Sequence, residues 1–397
     1  MPVTTTRTLP AAILREVQKA VIGKDLVLTK VLLAFLAGGH VLMEDMPGVG
    51  KTTLAMAFSK ALGLNCRRVQ FTPDVLPSDL TGFSVYEKNT GTFVFQPGAL
   101  FCHLLLADEI NRTSSKTQAA LLEAMEEGNV TVEGKTYALP RPHLVIATQN
   151  PLGCVGTQSL PESQLDRFLM RLHMGYPEIQ DEVAILKGHA ARNPLEDVQP
   201  VCTPEQLEAL QQQAAAVYVD DRLYYYAASV SRATREHPQA VLGVSPRGTL
   251  ALIQSAKAMA MLRGRDYLLP DDIMPLCQDV LAHRILTKGG VAARCCIRYR
   301  LPCRTDGERD ADTENSLSAA CRRLLFVLLS VSAPVLGVFA AVYPAFAGVA
   351  FLCGTLQRGK VTGRTGAAEA ACTYRRAVFL LCAAEKSHDI SYQHCDF

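Results

Sequence analysis

The run Pro47-Gly48-Val49-Gly50-Lys51-Thr52-Thr53 stands between a short apolar stretch and a helical one. A loop so placed can aim successive backbone amides at a phosphate, provided its side chains are small enough to let the phosphate approach. Gly48 and Gly50 meet that need. The Lys51 ammonium can reach β- and γ-phosphate oxygens, and the Thr52 hydroxyl can ligate Mg²⁺. Asp45 occupies the position where the strict motif has glycine, so an ordinary glycine turn with a helix-capping Thr is the competing reading. The second element is Leu104-Leu105-Leu106-Ala107-Asp108-Glu109, with Asp108 lying 57 residues after Lys51. Four apolar residues suit a strand buried on both faces, and two carboxylates at its C-terminal end lie where ligands of open α/β sheets sit. Asp108 is a candidate Mg²⁺ ligand through water, and Glu109 a candidate base for the attacking water. Alone, the pair reads more simply as the start of a solvated loop; coupled to the glycine loop it points to hydrolysis.

Three further residues are candidates. Asn150, in Ala147-Thr148-Gln149-Asn150-Pro151, ends another apolar run, where an amide can orient water or a γ-phosphate; an Asn-Pro turn ending the strand explains it equally well. Arg167, in Gln164-Leu165-Asp166-Arg167-Phe168, can stabilise charge on a neighbouring subunit's γ-phosphate or pair with Asp166. Arg247, in Ser245-Pro246-Arg247, opens a predicted helix and is otherwise an exposed surface charge.

The elements that must position these groups alternate between helix and strand, the pattern of a parallel α/β sheet. Leu26, Val27, Val31, Leu32, Phe35 and Leu36 repeat at helical spacing, and Gly38-Gly39 stops them. Strands are predicted at 40–43, 68–71, 104–107, 144–147 and 169–174. Thr92 to Phe95 reads as a strand or hairpin arm, and Asn129 to Tyr137, turning at Glu133-Gly134, reads as a hairpin. After Pro177 the pattern becomes helical, with helices from Thr203, over 224–235 and 249–262, and from Asp271 to near Leu286. The assignment requires the glycine loop and the paired acids to end adjacent strands.

The whole chain has 397 residues and a net charge of +2, which gives no general attraction to nucleic acid or an anionic membrane. That average hides a seam. Five of the thirteen cysteines precede Cys295, scattered among apolar neighbours as reduced, buried thiols would be. From Gly289 onward Arg outnumbers Lys by 11 to 2, and 324–356 carries no charge over 33 residues. A run of that length could contact or cross a bilayer; an aberrant fusion or an out-of-frame product is the competing reading. The N-terminus shows no secretory signal.

Taken in order, these segments resemble the MoxR branch of the AAA+ ATPases, from about Ile13 to Leu286. Glu44 to Thr52 matches that branch's form of the phosphate loop, including Asp45. Gly91-Thr92-Phe93 to Leu100 is similar to its helix-2 insert region, Leu106 to Arg112 to its acidic strand end, and Leu121 to Glu127 to the helix that follows. Ala147 to Pro151 is like its first sensor, Leu160 to Phe168 its arginine-finger segment, and Ser245-Pro246-Arg247 its second sensor. The resemblance implies that Arg167 acts in trans and Arg247 in cis. It also implies a homo-oligomeric ring, a hexamer, and chaperone-like remodelling or maturation of partner proteins.

The expectation is therefore an AAA+ P-loop α/β core with a parallel sheet over 1–176, a small all-helical lid over 177–288, and a Cys- and Arg-rich tail over 289–397. Its function would be Mg²⁺-dependent ATP hydrolysis by a cytoplasmic protein, tethered to a membrane if the tail inserts. A nucleic-acid motor and a membrane-tethered ATP-binding scaffold are the alternatives. One Lys against one Glu over Asn129 to Leu139 argues against the first; the Asp108-Glu109 pair argues against the second.

Overall fold

The computed structural model describes residues 4–45, 48–89, 91–149, 160–191 and 193–288. All described residues fall in one compact unit, Met1–Gly307. Pro47, Asn150 and the charge-free run 324–356 lie outside the described residues. Among the described residues, no helix is long and apolar enough to cross a membrane.

Among the described residues, eleven strands occur in chain order: β1 (Val41–Glu44), β2 (Cys66–Gln70), β3 (Phe83–Glu87), β4 (Thr92–Gln96), β5 (Leu104–Asp108) and β6 (Asn129–Val132), then β7 (Lys135–Ala138), β8 (Leu144–Gln149), β9 (Met170–Leu172), β10 (Ala240–Leu242) and β11 (Leu286–Thr287). Five of them form one sheet in the order β2-β5-β8-β1-β9, every pair parallel. The glycine loop after β1 and the acids after β5 therefore do not end adjacent strands. β8 lies between them, which corrects the adjacency expected from sequence. A crossover connection constrains which face a helix covers, not which two strands become neighbours.

All of β5 and β8 is buried, and their side chains alternate between the two faces. Leu104, Leu106, Leu144 and Ile146 join one apolar cluster, while Leu105, Ala107, Val145 and Ala147 join the other. This is the twofold period of a strand buried on both sides, and it explains why both read as continuous apolar runs.

The helices are α1 (Thr4–Ala20), α2 (Asp25–Leu36), α3 (Lys51–Ala61), α4 (Pro77–Thr81), α5 (Ser115–Glu127) and α6 (Glu162–Leu165), then α7 (Ile179–Ala191), α8 (Pro204–Ala215), α9 (Asp221–Arg235), α10 (Pro246–Leu262), α11 (Pro270–Ile273) and α12 (Cys277–Leu281). Their starts follow capping chemistry. Thr203 and Gln206 form a reciprocal capping box at α8, Asp220 caps α9, and Ser245 accepts from the Gly248 amide at α10. The helix expected from Asp271 to near Leu286 is instead broken into α11, α12 and 3₁₀ turns. Pro275 lies in the first of those turns and has no amide to continue an α-helical ladder.

Two hairpins project beside the sheet. In β6–β7 the turn residues Glu133 and Gly134 both take positive φ, 51° and 76°, as a two-residue turn matched to strand twist requires. In the other, β4 pairs with β3, a strand whose alternation is too short to be read from sequence. The helical part after β9 adds one short antiparallel pair, β10 with β11. Its apolar residues, from Val198 to Ile285, share one cluster with α1, α2 and α3. Cys102, Cys202 and Cys277 are buried free thiols and Cys66 is half-buried; burial pushes the Cys277 thiol up to about 12.

Candidate functional site

β1 leaves the sheet through Asp45, whose carboxylate accepts from the Met174 amide at 2.5 Å and the Gly175 amide at 3.0 Å. Asp45 thus ties the glycine loop to the chain leaving β9, a contact that glycine at this position could not make. Gly48 and Gly50 hold φ at 86° and 95°. A Cβ added to Gly48 would meet nothing within 4 Å. Backbone twist, not crowding, demands glycine there. Gly50 is the N-cap of α3 and offers no side-chain cap, so the first amides of α3 are left for an anion.

Lys51 is 8% exposed, and its ammonium donates to the Asp45 carbonyl at 2.8 Å. Burial pulls the Lys51 ammonium below the usual lysine range, while the charges of Asp45, Asp108 and Glu109 oppose that shift. Those opposing charges put the glycine loop and the paired acids in one electrostatic neighbourhood, although β8 separates their strands. Thr52 and Thr53 follow in the first turn of α3, both half-buried.

At the end of β5, Asp108 Oδ1 accepts from Thr148 Oγ1 at 2.6 Å and Oδ2 accepts from Arg68 Nη2 at 2.7 Å. The Glu109 amide donates to the same Thr148 hydroxyl at 2.9 Å. Glu109 has φ 58° and ψ 48°. Among the described non-glycine residues, only Glu109 and the hairpin residue Glu133 have positive φ. For a glutamate this is a sparsely populated conformation, held here, in the turn that leaves β5, by the buried partner on β8. The Glu109 carboxylate meets Arg112 Nε at 3.1 Å.

Thr148 and Arg68 were not among the candidates read from sequence. Thr148 had one signal, its place at the C-terminal end of a buried strand two residues before Asn150. Arg68 had none, since only the β2–β5 register sets it beside the acids.

Arg167 does not pair with Asp166, the simpler reading of that segment. The Asp166 carboxylate accepts from Arg284 Nε at 2.7 Å and from Ser245 Oγ at 2.9 and 3.1 Å. Arg284 is 2% exposed at its side chain and also donates to the carbonyls of Asp166, Phe168 and Leu169. With Asp166 taken, Arg167 turns to Glu126 at the end of α5, Nε to Oε2 3.1 Å. Arg247, half-exposed at the start of α10, pairs with the other oxygen of Glu126. The resemblance assigns the two arginines to different nucleotides, whereas within this subunit they share one carboxylate.

Hydroxyl and carboxylate oxygens at Thr52 and Asp108 are the hard donors that Mg²⁺ prefers, and the amides ahead of α3 with Lys51 form the complement of a polyphosphate. These residues fit a metal-bound nucleoside triphosphate.

Residues 40–170 match the model of the ATPase family associated with various cellular activities (AAA), and residues 232–293 match the AAA lid domain. The chain is 48% identical over 271 residues to the Bacillus subtilis protein YeaC, covering 68% of this chain and 85% of that one. It is 38% identical over 288 residues to the Mycobacterium tuberculosis protein named Chaperone MoxR1, covering 70% and 76%. A crystal structure from Cytophaga hutchinsonii superposes with a TM-score of 0.69 at 35% identity, covering 74% of this chain and 94% of that one.

Proposed function

We infer, for a chain that belongs to the MoxR-type AAA+ ATPases, that ATP hydrolysis at the Lys51–Asp108 cleft drives chaperone-like remodelling of protein partners. The observation that carries this is the single Thr148 hydroxyl that holds Asp108 and Glu109 together, within the electrostatic reach of Lys51. In this reading Lys51 and the amides ahead of α3 grip the β- and γ-phosphates, and Glu109 orients and deprotonates the attacking water. Bound between Thr52 and Asp108, Mg²⁺ would supply charge neutralisation at the phosphate oxygens. Arg167, and with it Arg247, meets the negative charge that develops on the transferred phosphoryl group. Asn150 and Pro47 complete the site by resemblance. Domain limits at 176 and 288 fit the last strand of the sheet and the end of β11.

Protein clients suit the projecting hairpins better than nucleic acid does. Phe83, Tyr86 and Phe93 of the β3–β4 hairpin are 49%, 53% and 72% exposed. The hairpins' charged residues are balanced, Glu87 against Lys88 and Glu133 against Lys135. A backbone-tracking surface would instead be basic.

The reading places the arginine finger in trans, within a homo-oligomeric ring, and subunit mixing tests it. Lys51→Ala and Arg167→Ala chains should each be nearly inactive alone. Mixed, they should recover part of the wild-type rate, because some interfaces join an intact Lys51 site to an intact Arg167. No recovery in assembled mixtures would contradict the shared site.

A further inference from the structure

We propose that Glu126 is the acidic seat on which Arg167 and Arg247 rest until γ-phosphates, the neighbouring subunit's for Arg167 and this subunit's own for Arg247, replace it, so that this carboxylate sets how sharply the site distinguishes ATP from ADP. The proposal rests on the arginine roles inferred above and adds a residue to them.

Three observations carry it. Two arginines from separate segments, one following α6 and one in the first turn of α10, converge on the two oxygens of a single carboxylate. A guanidinium is built to bind carboxylate and phosphate in the same geometry, so one acceptor can be exchanged for the other.

Glu126 also sits where a helix disfavours it. It occupies the last turn of α5 beside Glu127, ahead of Gly128, with no basic residue in that turn. The negative end of a helix dipole penalises carboxylates. A residue that breaks a local rule in this way marks a functional demand.

The third observation is the contrast in burial. The chain flanking both arginines is fixed: Asp166 is bound by Arg284 and by Ser245, whose hydroxyl also caps α10. The arginine side chains themselves are 30% and 44% exposed, and Glu126 39%. Exposed ion pairs contribute little net free energy. The pairs on Glu126 are therefore weak enough to exchange, while the backbone that carries the arginines stays in place.

The test compares the full-length wild-type chain with Glu126→Gln and Glu126→Asp, titrated with ADP and with the β,γ-imido analogue of ATP. Glu126→Gln is expected to bind the triphosphate analogue about fivefold more tightly, or ~1 kcal/mol, with ADP affinity unchanged. Glu126→Asp, which keeps the charge, should hold the wild-type ratio. Adding Arg247→Ala to Glu126→Gln should cancel most of the gain. Equal weakening of both nucleotides, or an unchanged ratio in Glu126→Gln, would make Glu126 a structural tie and overturn the proposal. Wild-type ATP turnover by both Arg167→Ala and Arg247→Ala would instead overturn the arginine roles themselves, and the seat with them.

Discussion

The Thr148 hydroxyl lies 2.6 Å from Asp108 Oδ1 and 2.9 Å from the Glu109 amide, so one wholly buried side chain on β8 fixes both acids at the end of β5. It donates to the first and accepts from the second, using both capacities of a hydroxyl. The strand that separates the glycine loop from the acids is thereby also the strand that orients them.

Thr148→Val keeps the shape and removes both bonds. A buried polar group left unsatisfied costs about 1–3 kcal/mol. The expected result is a kcat lowered about 10- to 100-fold with nucleotide affinity little changed, and near-normal turnover for Thr148→Ser. Steady-state kinetics measure this; wild-type kcat in Thr148→Val would remove Thr148 from the site.

Lys51→Ala removes the buried ammonium that donates to the Asp45 carbonyl and is subject to the charges of Asp45, Asp108 and Glu109. A hydrogen bond to a charged group contributes about 1.5–3 kcal/mol, so triphosphate affinity should fall roughly 10- to 100-fold. Fluorescent nucleotide titration reads it directly, and unaltered affinity would show that phosphate is gripped elsewhere.

Much of this site was legible because its parts are local. The glycine loop, the apolar strand with two acids and the capping residues Thr203 and Ser245 each announce themselves within a few positions. Relations set by register or by long-range packing were not legible. No local pattern places β8 between β1 and β5, or Arg68 against Asp108 across the β2–β5 ladder. A local Arg167–Asp166 pair is an alternative that sequence offers because adjacency is visible there, whereas the buried Arg284 that takes Asp166, 118 positions away, is not. The start signal at Asp271-Asp272-Ile273 is local and legible, whereas the break at Pro275 divides the expected helix.

Stability should fall in mild acid. His40 is buried with Nδ1 accepting from the Val145 amide and Nε2 donating to the Met125 carbonyl, a pattern only the neutral ring can make. Burial, with His143 nearby, pulls its pKa to about 4 from the usual 6.5. His283 is shifted in the same direction, first by burial. The folded pKa lies below the unfolded one, so the contribution is complete above pH 6.5 and lost as pH falls toward 4. For His40 the loss amounts to about 3 kcal/mol. The Tm should therefore drop by several degrees between pH 7 and 4.5, and less in His40→Gln. An identical drop in that variant would acquit His40.

The most direct measurement is turnover and binding by Glu109→Gln in the full chain. The glutamine keeps the side chain's size and the backbone amide's hydrogen bond to Thr148, but cannot take a proton from water. ATP affinity should stay within about twofold of wild type while kcat falls at least 100-fold, the scale on which a positioned general base acts. Hydrolysis at the wild-type rate would contradict the assignment of the reaction to this pair of acids.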